Sequence, residues 1–93
     1  MTIDPLIDHT RLQDISDGDE TLLRELVQIF LEDTTREFQN LSNAIESQNA
    51  VEVHRLAHGI AGAAMTYGMT GMVEPLRLLE TEAKARRLDQ ARA

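Results

Sequence analysis

A chain of 93 residues is long enough for one modest core and too short to enclose a deep substrate cleft between lobes, so a single domain over 1–93 is expected. A formal charge of −7 argues against a nucleic-acid partner, whose phosphates are held mainly by clustered Lys and Arg, and points to protein partners. Hydrophobic residues at 42% and charged residues at 27% fit an ordinary globular domain, and no apolar run is long enough for a membrane partner or span. The start Met1-Thr2-Ile3-Asp4-Pro5 lacks a secretory pattern, and the absence of cysteine removes disulfides and thiolate metal sites, so the expected compartment is cytoplasmic.

Aromatic residues make up only 3%, so the core must come from Leu, Ile, Val, Ala and Met at helical spacing, an all-α class with no strand candidate. Ile7 to Ile15 reads as a short leading helix, and Ser16-Asp17-Gly18-Asp19 as a turn whose Asp19 caps the next helix. From about Glu20 to Ser47, Leu22, Leu26, Ile29 or Phe30, Thr34, Phe38, Leu41 and Ile45 recur every three or four residues, predicting one long helix with one buried stripe. Gln48-Asn49 breaks it, and Asn49 with Glu52 opens a second long helix that ends at Tyr67-Gly68. A third starts near Thr70, or nearer Val73 because Pro75 fits only a first turn, and runs to Arg86 or Arg87. Connections this short predict an antiparallel up-and-down bundle.

On a helical wheel the second long helix places Val53, Leu56, Ile60, Ala63, Ala64 and Tyr67 on a core face. His58 falls opposite, flanked by His54, Arg55, Ala61, Gly62 and Met65. Glu, Lys and Gln are the usual residents of such a face, whereas here Gly59, Ala61 and Gly62 surround the imidazole, although an interior glycine costs about 1 kcal/mol relative to alanine. The compensating benefit is access: another protein's surface can approach the ring and backbone closely.

The run Ala57-His58-Gly59-Ile60-Ala61-Gly62-Ala63-Ala64-Met65-Thr66-Tyr67-Gly68 resembles the motif of the histidine-containing phosphotransfer (HPt) domain family. That motif reads Ala, His, any residue, Leu or Ile, Lys, Gly, two small residues, two of any kind, an aliphatic or Phe, and Gly. Ile15 to Glu20, the Leu22-to-Leu26 segment and Phe30-Leu31-Glu32-Asp33 are similar to the family's opening, so the resemblance spans roughly Ile7 to Arg87. It implies an HPt-type helical bundle with His58 phosphorylated, relaying a phosphoryl group between receiver-domain aspartates in a two-component phosphorelay. It implies partners that are response-regulator receiver domains or a hybrid sensor kinase, no cofactor of its own, and Mg2+ on the partner only. Glu80, 22 residues after His58 as in the chemotaxis-kinase type, would accept from one ring nitrogen and leave the other as nucleophile.

Ala61 stands where the family has lysine, and Arg55 and Arg77 are the candidate substitutes for its charge. The docking surface is expected to comprise His54, Gly59, Ala61, Gly62 and Met65. No phosphate-binding G-x-x-x-x-G-K-S/T is present, so the chain is expected to be a phosphoryl carrier without kinase activity of its own. Two other readings stay open. One is a degenerate interaction or dimerisation module without phosphotransfer; the other is a metal site on His54, His58 and Glu80. The residues Leu88 to Ala93 read as a truncated fourth helix, and the apolar groove this leaves predicts a homodimer unless the segment Ile3 to Ile15, with Ile7, Leu12 and Ile15 buried, covers it.

Overall fold

The computed structural model describes residues 7–92. Four α-helices follow one another: α1 (His9–Ser16), α2 (Glu20–Glu46), α3 (Ala50–Thr66) and α4 (Val73–Arg92), with a 3-10 turn Thr70–Met72 leading into α4. The ends fall where the side chains can satisfy free backbone groups. Asp8 caps α1 by accepting from the Arg11 amide at 3.0 Å, Asp19 caps α2 by accepting from the Thr21 and Leu22 amides at 2.9 and 3.1 Å, and Asn49 caps α3 by accepting from the Glu52 amide at 3.2 Å. Pro75 occupies the first turn of α4, where its missing N–H costs nothing.

The helix α3 is the central element. On one side it packs against the C-terminal half of α2 and on the other against α4, and Leu41, Ala44, Val53, Leu56, Ala57, Ile60, Ala61, Leu76 and Ala83 form the core between them. Both pairs are antiparallel: Met65 meets Arg77 while His54 meets Glu80, and the Phe30 and Tyr67 rings meet at a tilt, centroids 5.0 Å apart, while Ile45 lies beside Ala50 and Val53. The α3–α4 pair is the closer, because Ala57, Ala61 and Ala64 are all fully buried and let the two backbones approach. That overturns the placement of Ala61 on the exposed face with His58. Three residues turn a helix by roughly 60° short of a full circle, so Ala61 lies at the edge of that face, and α4 covers the edge.

The stripe on α2 is only partly buried. Phe30, Thr34, Leu41 and Ala44 are inside, whereas Leu22, Ile29, Leu31, Phe38 and Ile45 are exposed. At 27 residues α2 outreaches the 17-residue α3, and no third helix covers its outer edge among the described residues. The stub of a further helix from Leu88 onward is not a separate element: the backbone through Arg92 continues α4, since nothing between Arg87 and Leu88 ends a helix. Ala93 lies outside the described residues.

The leading helix does not cover that groove. It packs on α2, and Asp8 donates its amide to the Gly68 carbonyl at 2.7 Å while Arg11 donates Nε–H to the Thr66 carbonyl at 3.0 Å, which fixes α1 to the end of α3. Leu12 is buried, Ile7 and Ile15 are half-buried, and Ile3 lies outside the described residues. Gly68 is required there: its φ is +73°, and a Cβ would come within 2.7 Å of the Asp8 carbonyl oxygen.

Candidate phosphotransfer site

His58 stands at mid-length of α3 with 63% of its side chain exposed. The antiparallel packing of α3 and α4 brings Arg77 and Glu80 to face it across the helix pair. Glu80 is the best-held group of the site. Its Oε1 lies 2.7 Å from His58 Nδ1 and its Oε2 accepts from Arg77 Nη1 at 2.9 Å, with only 17% of the side chain exposed. The Arg77 guanidinium, and after it the His58 ring, hold the Glu80 carboxyl below its ordinary value of 4.5 against the opposing effect of burial. An ionised carboxylate has no proton to give, so the short contact requires the proton on His58 Nδ1. The lone pair of the neutral ring is then on Nε2.

Arg77 Nη1 also lies 3.3 Å from His58 Nδ1, but both atoms carry protons in this state, and their proximity reflects convergence on one carboxylate. Arg77 Nη2 reaches Met65 Sδ at 3.5 Å. The guanidinium thus lies near both His58 and Met65, two residues of α3 seven positions apart.

Arg55 is not part of this cluster. It donates to Glu52 from both Nε, at 2.8 Å, and Nη2, at 2.7 Å, and makes no hydrogen bond to His58 among the described residues. An acidic residue three positions earlier on the same helix competes for it more effectively than a neutral ring one turn on. The pairing lowers the Glu52 carboxyl and raises the Arg55 guanidinium from their ordinary values, the hydrogen bond between them being the largest cause of each shift.

Of the expected docking residues, Gly59 and Met65 are exposed, Gly62 and His54 are half-buried, and Ala61 is buried. Nothing lies within 4 Å of where a Cβ would stand on Gly59 or Gly62. Packing inside the molecule therefore does not require either glycine, and the space they leave opens outward.

His54 is the group that the sequence pattern placed least well. Its ring lies parallel to that of His58, at 12° with centroids 6.4 Å apart, and its Nε2 is 3.7 Å from the same Oε1 of Glu80. The spacing of four residues was its signal, although that spacing alone also suggests a metal pair. No group of three or more metal-ligating side chains is assembled among the described residues.

An exposed histidine on a central helix, with a carboxylate from the next antiparallel helix at its Nδ1, thus sits in an all-α antiparallel bundle. The profile of the Hpt domain family matches residues 25–93, and the chain belongs to that family. No curated protein and no solved structure matches it. Members of the family are phosphocarrier modules of two-component signalling and not kinases, and they work with receiver domains and kinases. No described helix is long and apolar enough to cross a membrane.

Proposed function

We propose that this chain relays a phosphoryl group on His58 Nε2 between aspartates of receiver domains. The observation that carries the reading is the 2.7 Å contact of Glu80 with Nδ1 of an otherwise exposed ring, because it fixes the nucleophilic tautomer and leaves Nε2 facing the solvent. In the transfer the P–O bond of the receiver's aspartyl phosphate breaks and a bond to Nε2 forms. The carboxylate leaves with the electron pair, and the ring keeps its Nδ1 proton as a cation stabilised by Glu80. The reverse step passes the group on. The chain brings no cofactor, and the metal ion of the reaction belongs to the receiver. Arg77 supplies the positive charge nearest the ring. Gly59, Gly62 and Met65 form the surface a receiver meets, and the cytoplasm is the compartment where it does so.

The degenerate-module reading rests on the missing lysine, and the Arg77 guanidinium 3.3 Å from His58 weakens it by supplying a positive charge beside the ring. Self-association through the exposed apolar edge of α2, with Phe38 and Ile45, belongs to this proposal as a property beside the relay. The deciding experiment is incubation with phosphorylated receiver domains. An acid-labile, base-stable label should appear on the wild type and be lost in His58→Gln with the melting temperature almost unchanged. Label retained by His58→Gln, or found on His54, overturns the assignment.

A further inference from the structure

The charges at the site nearly cancel. Arg77 and Glu80 neutralise each other at 2.9 Å, and Arg55 is spent on Glu52, so the neutral His58 ring stands in a locally uncharged setting. A phosphoryl group brings between one and two negative charges to such a place. One further group can change that balance. Glu80 Oε1 accepts from His58, but a carboxylate oxygen can accept a second hydrogen bond, and His54 Nε2 approaches the same oxygen. At 3.7 Å this is an ion-pair distance but longer than a hydrogen bond, so with a neutral His54 ring the second acceptor position is unused. The ring is well placed to use it: only 25% of its side chain is exposed, it lies parallel to His58 on the preceding turn, and Glu80 is the only carboxylate within 4.0 Å of its nitrogens among the described residues. From α4 the charged groups of this cluster are Glu80 and Arg77, from α3 itself they are His58 and the Glu52–Arg55 pair, and from α2 Glu37 acts on Arg55, while no α2 carboxylate pairs with His54 among the described residues.

We infer that His54 is a positioning residue that acts on His58 through Glu80, closing on Oε1 when protonated and giving the Arg77–Glu80 pair the net positive charge that retains a phosphoryl group on Nε2. Histidine is the side chain that changes charge within the physiological range, so the effect is a dependence of phosphoryl loading on pH. This rests on the proposal that His58 is the phosphorylated residue. It makes His54 part of the reaction's electrostatics and not of the surface a partner docks on.

The test compares wild type, His54→Gln and His54→Lys in the whole chain, loaded with phosphoramidate, with phospho-His58 resolved from other products by 31P NMR. Taking the ratio of wild type to His54→Gln cancels the pH dependence of the donor and of His58. The ratio should be near one at pH 8.5 and rise to between about twofold and fivefold at pH 6, as a partly exposed ion pair permits. His54→Lys, always charged, should exceed His54→Gln at both. A ratio that does not change with pH shows a structural role only and overturns the inference. A second measurement needs no phosphorylation: ring 15N spectra between pH 5 and 9 should show His58 responding as His54 titrates, with the response lost in Glu80→Gln. If no variant is loaded at any pH, the assignment of His58 fails while these spectra still decide the link. His58 signals indifferent to His54 overturn it.

Discussion

Alanine at position 61 illustrates what single residues contribute. It is fully buried in the core that α3 shares with α4, one turn after His58. A lysine placed there does not simply restore a missing charge. Ala61→Lys should overpack the α3–α4 contact and cost about 1–3 kcal/mol, read as a lower midpoint in urea at unchanged slope. Gly59 gives the opposite case. With nothing within 4 Å of its missing Cβ, Gly59→Ala should stabilise the helix by about 0.5–1 kcal/mol and yet slow transfer from a receiver, because it fills the space left for the partner. Unchanged transfer in a stabilised variant would remove the reason given for the glycine. Glu80 has a pH signature. Its carboxyl is held below 4.5 in the folded chain, so its stabilising contribution is complete above that value and is lost as the pH falls through the folded one. The difference in melting temperature between wild type and Glu80→Gln should therefore shrink as the pH falls below about 4.

Among the elements, the boundaries were written locally and could be read. Asp19, Asn49, Gly68 and Pro75 all stand where their backbone preferences predict, because a cap depends on residues three positions away and not on the rest of the fold. The partners of each helix were less legible. A wheel shows which side of α3 is apolar, but His54 and Ala61 lie at the edge of that side, and whether an edge is covered depends on where α4 comes to rest. The same holds for α2, whose periodic stripe promised burial of Phe38 and Ile45 that only a longer neighbour would have delivered. The pairing of His58 with Glu80 was legible from its 22-residue separation by way of the family resemblance, not from the periodicity. At the joint between α1 and α3, Gly68→Ala should cost more than about 1 kcal/mol, since it combines a positive φ with a carbonyl 2.7 Å from the new Cβ, and circular dichroism should show the loss as one transition at a lower temperature.

Taken whole, the molecule measures 52 × 24 × 17 Å, long because α2 is long and thin because three helices share one shallow core. Its stability is concentrated there. Phe30→Ala should cost about 3–5 kcal/mol, a large share of what a domain of this size has, whereas Phe38→Ser and Ile45→Ser should each change the stability of the dilute chain by less than about 0.5 kcal/mol. In sedimentation equilibrium the wild type should exceed its 10.4 kDa monomer mass at high concentration, and the double variant Phe38→Ser/Ile45→Ser should approach it. A wild type that stays at 10.4 kDa rejects the association and leaves the relay untouched. The joint at Gly68 also determines which parts of the backbone open together. The Asp8 amide is bonded to the Gly68 carbonyl and the Met69 amide to the Ala64 carbonyl, both at 2.7 Å, so an amide next to the first helix is held by the turn that ends the histidine helix. In amide hydrogen exchange those two protons, 61 positions apart along the chain, should exchange at one common rate, as members of a single cooperative unit.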